Sequence, residues 1–391
     1  MLTIILKKHE DRRVRNGHPW VFSNEIAEMR GDRQPGAAAE VRDAGGSLVG
    51  YGHFNPRSLI AVRLLATGTA DLDDAVLYRE RIGRADTLRH ALYPGLDCYR
   101  AVYGEADFLP GLVVDRYGDY LSVQFLSAGM DSRREIIVPL LRELFQPKGI
   151  VARNDVAVRS LEGLGEAVEV LYGEIPEIIE IKENGLKLAV NLLQGQKTGH
   201  FLDQKENHLL LRNICAGKEV LDCFCYSGSW GLHAASFGAA SVTCIDVSER
   251  AIGLARQNFA LNGLGGRFRG EATDAFDRLR SLKSEGRRFD VIVLDPPAFV
   301  KSRKALKEAQ KGYLTINRRA LELLDEGGFL ITCSCSYHME REMFRDLLTT
   351  AARQAGRRMR LVAARSQAPD HPVLLGLPET EYLKCLVLQA V

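Results

Sequence analysis

Two stretches of this sequence carry residues fit for covalent chemistry. Phe289-Asp-Val-Ile-Val-Leu-Asp-Pro-Pro-Ala-Phe299 reads as a buried strand broken off by a carboxylate and two prolines. Pro296 and Pro297 cannot continue a ladder, so Asp295 is expected at the strand's carboxyl end, where open α/β sheets bind ligands. Pro296, Pro297 and Phe299 can hold a flat ring while Asp295 bonds its polar edge. A second strand, Gly328-Phe-Leu-Ile-Thr-Cys-Ser-Cys-Ser336, places Cys333 and Cys335 on one face. Cys335 lies nearer the mouth, where basic surroundings favour a thiolate. A strand cysteine is more often a small core hydrophobe; the neighbouring Asp-Pro-Pro corner argues for a nucleophile.

A cofactor constellation precedes these stretches. Val220-Leu-Asp-Cys-Phe-Cys-Tyr-Ser-Gly228 follows a strand and opens a helix, with Ser227 and Gly228 permitting a tight turn. A nicotinamide site would want G-x-G-x-x-G. Gly228 and Gly231 behind a carboxylate instead suit a cofactor without a pyrophosphate, such as S-adenosylmethionine. Asp222 is matched to its ammonium end, Asp246 to its ribose hydroxyls, and Asp274 to its adenine amino group. Phe224, Tyr226 and Val247, beside them, complete the expected pocket. Three carboxylates at successive strand ends point to a class I methyltransferase; the plainer alternative is three helix N-caps.

The elements that must position these residues start at Leu186, where strands and helices alternate. Strands fit 219–224, 241–246, 267–270, 290–294, 328–335 and 382–389; helices fit 229–237, 249–262, 275–282, 303–324 and 340–355. That alternation predicts βαβ units and a mainly parallel, Rossmann-like sheet over residues 186–391. Residues 1–70 read as a small β domain of short strands punctuated by Gly17-His-Pro19, Gly31-Asp-Arg33 and Gly45-Gly46. Residues 71–185 read as a middle α+β domain without a catalytic constellation.

Bulk properties bound the class. The chain has 391 residues, enough for two or three domains, and its 46% hydrophobic and 26% charged content is ordinary for a soluble globular protein. No apolar run is long enough to span a membrane and the start lacks the order of a signal peptide, so a cytoplasmic protein is expected. None of the eight cysteines forms a C-x-x-C pair, so neither a metal site nor a disulfide framework is expected. The net charge of +2 does not announce a nucleic-acid partner. Its distribution says more: basic clusters at 7–15, 301–319 and 353–365 suit phosphate contacts as well as solvated helix faces.

Two resemblances follow. Gly17-His-Pro-Trp-Val-Phe22, Pro35-Gly36, Val49-Gly-Tyr-Gly-His-Phe-Asn55 and Ser58 resemble a PUA domain, a small RNA-binding barrel. With Thr198-Gly-His-Phe-Leu-Asp-Gln-Lys205, Lys301-Ser-Arg303, Asp370-His-Pro372 and Pro378-Glu-Thr-Glu-Tyr-Leu-Lys384, nearly the whole chain resembles the RlmI-like family of ribosomal RNA large subunit methyltransferases. The resemblance implies 5-methylcytosine as product and S-adenosylmethionine as cofactor. It implies Cys335 as nucleophile with Asp295 at the base, Lys301 at the substrate, and Phe201, Asp203 and Gln204 in the cofactor pocket. It also implies large-subunit ribosomal RNA as partner; a homodimer is left open. Related RNA cytosine-5 enzymes often carry a second cysteine after this Pro corner, where this chain has Pro297 and Ala298. The group that removes the C5 proton is therefore open. The alternatives are guanine amino methylation, for which Cys335 would be dispensable, and a non-catalytic ribosome-assembly protein.

Overall fold

The computed structural model describes residues 1–68, 70–299 and 306–391, and the chain forms two compact units. The first comprises Met1–Ile181, Val190–Leu202 and Pro369–Thr380. Its opening sheet holds β1 (Leu2–Leu6), β2 (Trp20–Phe22), β3 (Ile26–Arg30), β4 (Ala38–Arg42), β5 (Leu48–Phe54) and β6 (Ile60–Ala66), in the order β2-β6-β5-β4-β1-β3. Alternation along β1 buries Leu2, Ile4 and Leu6 against Val21, Val41 and Val62. A second sheet, β7 (Cys98–Tyr103), β8 (Leu112–Tyr117), β9 (Tyr120–Phe125), β10 (Gly149–Arg153) and β11 (Val168–Gly173), has its own core against two helices. These are α2 (Ala75–Leu92) and α4 (Arg134–Phe145), with the short α3 (Ala128–Asp131), whereas α1 (Arg12–Arg15) buries Val14 in the core of the opening sheet. The β8–β9 hairpin turns at Tyr117-Gly-Asp-Tyr120.

Buried polar contacts bind the two sheets of this unit. Arg63 reaches Glu105 at 2.9 Å and Glu162 at 3.0 Å, and Asn55 Nδ2 donates to Glu162 at 2.8 Å. Burial pushes the Glu162 carboxyl up, but Arg63, Asn55 and Ser58 more than offset it and hold it low. Two stretches quoted for the family resemblance are structural ties within this unit. Thr198 Oγ1 donates to Asp115 at 2.5 Å, and the Asp370 carboxylate accepts from Arg100 N at 2.9 Å.

The second unit comprises Lys182–Ala189, Asp203–Ala368 and Glu381–Val391. Its sheet joins β14 (Glu219–Cys223), β15 (Ser241–Asp246), β16 (Phe268–Ala272), β17 (Phe289–Leu294), β18 (Leu324–Ser334), β19 (Met359–Arg365) and β20 (Lys384–Ala390). Their order is β16-β15-β14-β17-β18-β20-β19, with β20 antiparallel to both of its neighbours. The preceding hairpin, β12 (Ile179–Glu183) and β13 (Leu186–Val190), stands apart from this sheet. Helices α5 (Ser229–Ser236), α6 (Glu249–Leu261), α7 (Ala275–Ser284), α8 (Leu306–Leu323) and α9 (Arg341–Gln354) supply the crossovers. The central strands are buried throughout: Val291, Ile292, Val293 and Leu294 are each 0% exposed. The strand β19 departs from expectation, since its residues read as part of a basic cluster. Arg360 and Arg365 on an exposed sheet edge hide the alternation that marks a half-buried strand.

Candidate functional site

The order reversal between β14 and β17 puts the carboxyl ends of β14, β15 and β17 side by side. After β14 the chain takes left-handed conformations at Phe224 (φ 62°), Tyr226 (φ 46°) and Gly228 (φ 74°). Two non-glycine residues in that region are costly and persist only where surroundings enforce them, typically at ligand sites. Asp246 is the enforcer: Oδ2 accepts from Tyr226 N at 3.0 Å and Oδ1 from Ser248 N at 3.0 Å. Each oxygen keeps a second lone pair. Val247 follows, 77% exposed, an apolar surface at the strand end. Ser227 is buried, and its carbonyl accepts from Asn258 Nδ2 at 2.9 Å.

Asp222 is wholly buried. Its Oδ2 accepts from Gly231 N at 2.9 Å, while Oδ1 has no hydrogen-bond partner among the described residues. Burial pushes its carboxyl up to about 8, despite the Gly231 N–H; Asp295 and Asp246 add to the rise. A cation settling nearby would relieve all of this, so the site fits the ammonium end expected of its cofactor. Gly231 must be glycine, since a Cβ would stand 2.8 Å from Val242 and 2.9 Å from Cys244 Sγ. Asp274 is an exposed N-cap of α7, accepting from Asp277 N at 3.0 Å. Its Oδ1 thus serves as the helix cap.

The Asp295 corner is built more tightly than its sequence shows. Oδ2 accepts from Gln204 Nε2 at 2.9 Å and from Trp230 Nε1 at 3.1 Å. Gln204 is itself fixed, accepting from Asn207 Nδ2 at 2.7 Å. Expected in the cofactor pocket, Gln204 thus orients the carboxylate at the Pro corner. Asp203 accepts from the Tyr382 hydroxyl at 2.5 Å. Behind Trp230, His208 packs edge-on at 4.7 Å, and its Nδ1 donates to Glu183 Oε1 at 2.7 Å. Pro296 is buried, Pro297 exposed, and Phe299 packs on Tyr313 at 4.7 Å between ring centroids. Lys301 lies outside the described residues, and Phe201 belongs to the first unit, where Lys197 Nζ sits 4.2 Å over its ring.

The cysteines separate cleanly. Seven are buried and Cys335 alone is partly exposed. Cys333 faces Cys385 across β18 and β20, and burial, then Cys385, push its thiol well above the ordinary range. Cys335 comes just after β18 ends, its Sγ 3.9 Å from the Pro296 carbonyl oxygen. The following turn is pinned: Ser334 Oγ donates to the Tyr313 hydroxyl at 3.0 Å, and that hydroxyl lies 3.1 Å from Ser336 Oγ. Trp230 and Tyr313 were not singled out from sequence, and Tyr382 entered only within the Pro378–Lys384 stretch. An aromatic on a helix reads as core unless a buried carboxylate is known to lie beside it.

Comparisons with known proteins agree with this geometry. A model of PUA-like domains matches residues 4–67, and one of S-adenosylmethionine-dependent methyltransferases matches residues 156–384, more than half of the chain. The ribosomal RNA large subunit methyltransferase I of Shewanella denitrificans is 41% identical over 99% of this chain and 98% of its own length. The chain belongs to that family. The Klebsiella pneumoniae member is 39% identical over 97% of this chain and 96% of its own length. Among solved structures, a SAM-dependent methyltransferase from Streptococcus mutans superposes with a TM-score of 0.85 at 22% identity, and a methyltransferase complexed with SAH with 0.87 at 23%. Each covers both chains fully, and at that identity they show the shared fold. The cofactor is S-adenosylmethionine, and the enzyme is a methyltransferase.

Asp246→Ala is expected to weaken S-adenosylmethionine binding at least tenfold. It would remove the acceptors expected for the ribose and release the Tyr226 amide, and bonds to a charged group are worth ~1.5–3 kcal/mol each. Unchanged affinity in calorimetric titration would reduce Asp246 to a loop anchor.

Proposed function

We propose that this enzyme transfers the methyl group of S-adenosylmethionine to C5 of a cytosine in large-subunit ribosomal RNA. The observation that carries the reading is the partly exposed Cys335 beside the Asp295-Pro296 corner, with the other seven cysteines buried. Names of the full-length relatives supply the RNA. Residues 1–70 would grip RNA as a PUA-like barrel, residues 71–185 shape the substrate side, and residues 186–391 carry the transfer. Nothing among the described helices is long and apolar enough to cross a membrane.

Cytosine C5 is too weak a nucleophile to accept a methyl group unaided. The Cys335 thiolate adds to C6, forming an S–C6 bond and moving the C5=C6 pair towards C5. Asp295, as the protonated acid, bonds N3 and takes up the charge developing on the ring. Gln204 and Trp230, which donate to its Oδ2, orient the carboxyl group at the corner. When bound, the cofactor would supply an electrophilic sulfonium methyl group for C5. Asp222, Asp246 and the strained Phe224–Gly228 loop hold and orient it. Loss of the C5 proton to a base then restores the ring and expels Cys335. The target atom lies inside a stack in duplex RNA, so the base must be single-stranded or flipped.

Incubating the enzyme with large-subunit RNA and isotopically labelled cofactor, then digesting to nucleosides, should place the label in 5-methylcytidine. Label in a methylated guanosine would overturn this reading in favour of amino methylation.

A further inference from the structure

Lys384 opens β20, is 5% exposed, and is paired in register with Ser334, one residue before Cys335. A buried lysine is costly to keep charged, and this one has no carboxylate within ion-pair distance among the described residues. Its Nζ donates instead to the carbonyl oxygens of Ser336 and Tyr382, each at 2.7 Å. Valence makes this arrangement informative. A neutral amine has two N–H donors and one lone pair, and an ammonium has three donors. Both carbonyls are thus satisfied in either state, and only the third position changes, from lone pair to N–H. Such a group gains or loses a proton without breaking its anchorage.

We propose that Lys384 is the proton partner of Cys335. The thiol proton passes to the Lys384 amine, leaving a thiolate and an ammonium, and the thiolate attacks. When Cys335 leaves the methylated ring it again carries the electron pair of the S–C6 bond, and the pair is ready for another cycle. The proposal rests on the reading of Cys335 as nucleophile.

The surroundings support the assignment. Burial lowers Lys384 to about 8, the Cys335 charge raises it, Arg341 lowers it and Glu381 raises it. Arg341 and Glu381 also pair with one another at 2.8 Å, so their influences on Lys384 oppose each other. Around Cys335 stand Lys384, the Tyr313 hydroxyl pushed up to about 12 by burial, and Asp295 next to the Pro296 carbonyl. Among these described groups, Lys384 is the cation that favours a thiolate, and an ionised Asp295 disfavours it.

The test is alkylation of the full-length protein by iodoacetamide across pH, read by mass at Cys335, with Cys335→Ala as the blank. In the wild type the rate should rise with a midpoint below the ordinary thiol value of about 8.5. Lys384→Met should move that midpoint up by about one unit or more, with roughly tenfold less thiolate at pH 7. A wild-type midpoint at or above about 8.5 would overturn the proposal without any variant, should Lys384→Met not fold. So would superimposable wild-type and folded Lys384→Met profiles. Methylation assays on the same proteins separate the two claims. A Cys335→Ala enzyme that still methylates refutes the nucleophile. A dead Cys335→Ala with an unshifted Lys384→Met profile refutes only the proton partner.

Discussion

Cys335→Ala is expected to abolish turnover, a loss in kcat on the order of 10⁴–10⁶, the scale on which deleting a catalytic nucleophile acts. Folding and cofactor affinity should survive, because the Cys335 side chain is partly exposed and the carboxylates of the cofactor site have partners of their own. Cys333→Ala is the matched control. It removes a fully buried sulfur facing Cys385, so it should cost about 0.5–1.5 kcal/mol of stability and leave most activity. Thermal melts and single-turnover methylation on the two variants check both halves. Retained activity in Cys335→Ala would move the nucleophile elsewhere.

The second large effect falls on Asp295, and the choice of substitution matters. Asp295→Ala strips the acceptor from both Gln204 Nε2 and Trp230 Nε1. Buried donors left without partners cost about 1–3 kcal/mol each, so that variant confounds catalysis with stability. In Asp295→Asn the amide oxygen can still accept from both donors, and the other position can no longer carry an acid proton. Its kcat should fall about 10²–10⁴-fold, the range of general acid–base catalysis, with S-adenosylmethionine affinity unchanged. A fall of less than about tenfold would show that Asp295 holds the ring without exchanging a proton.

Much of the site is legible in sequence because it sits where strands stop. Prolines after Leu294, the turn residues after Cys223 and the helix after Asp246 each mark a strand end. A strand end in a parallel sheet is already a position in space. The apolar run Val291–Leu294 and the paired Cys333 and Cys335 gave depth as well as order, and the exposure of the two cysteines follows it. What sequence did not disclose depends on contacts between distant segments. Trp230 holds Asp295, Tyr382 holds Asp203, and Lys384 is held against Ser336, across separations that no local pattern records. The bond from Gln204 to Asp295 is likewise a long-range contact that its motif does not record. The strand β19 escaped because an edge strand needs only a narrow apolar stripe, and arginines dominate its composition.

The central claim is that a Cys335–C6 bond forms during methyl transfer. Large-subunit RNA carrying 5-fluorocytosine tests it most directly, because fluorine cannot leave C5 as a proton and the adduct cannot collapse. Wild-type enzyme with S-adenosylmethionine should shift to a denaturant-stable protein–RNA species whose cross-linked peptide contains Cys335, and Cys335→Ala should give none. Methylation of the RNA without any adduct in the wild type, or an undiminished adduct in Cys335→Ala, would contradict the mechanism.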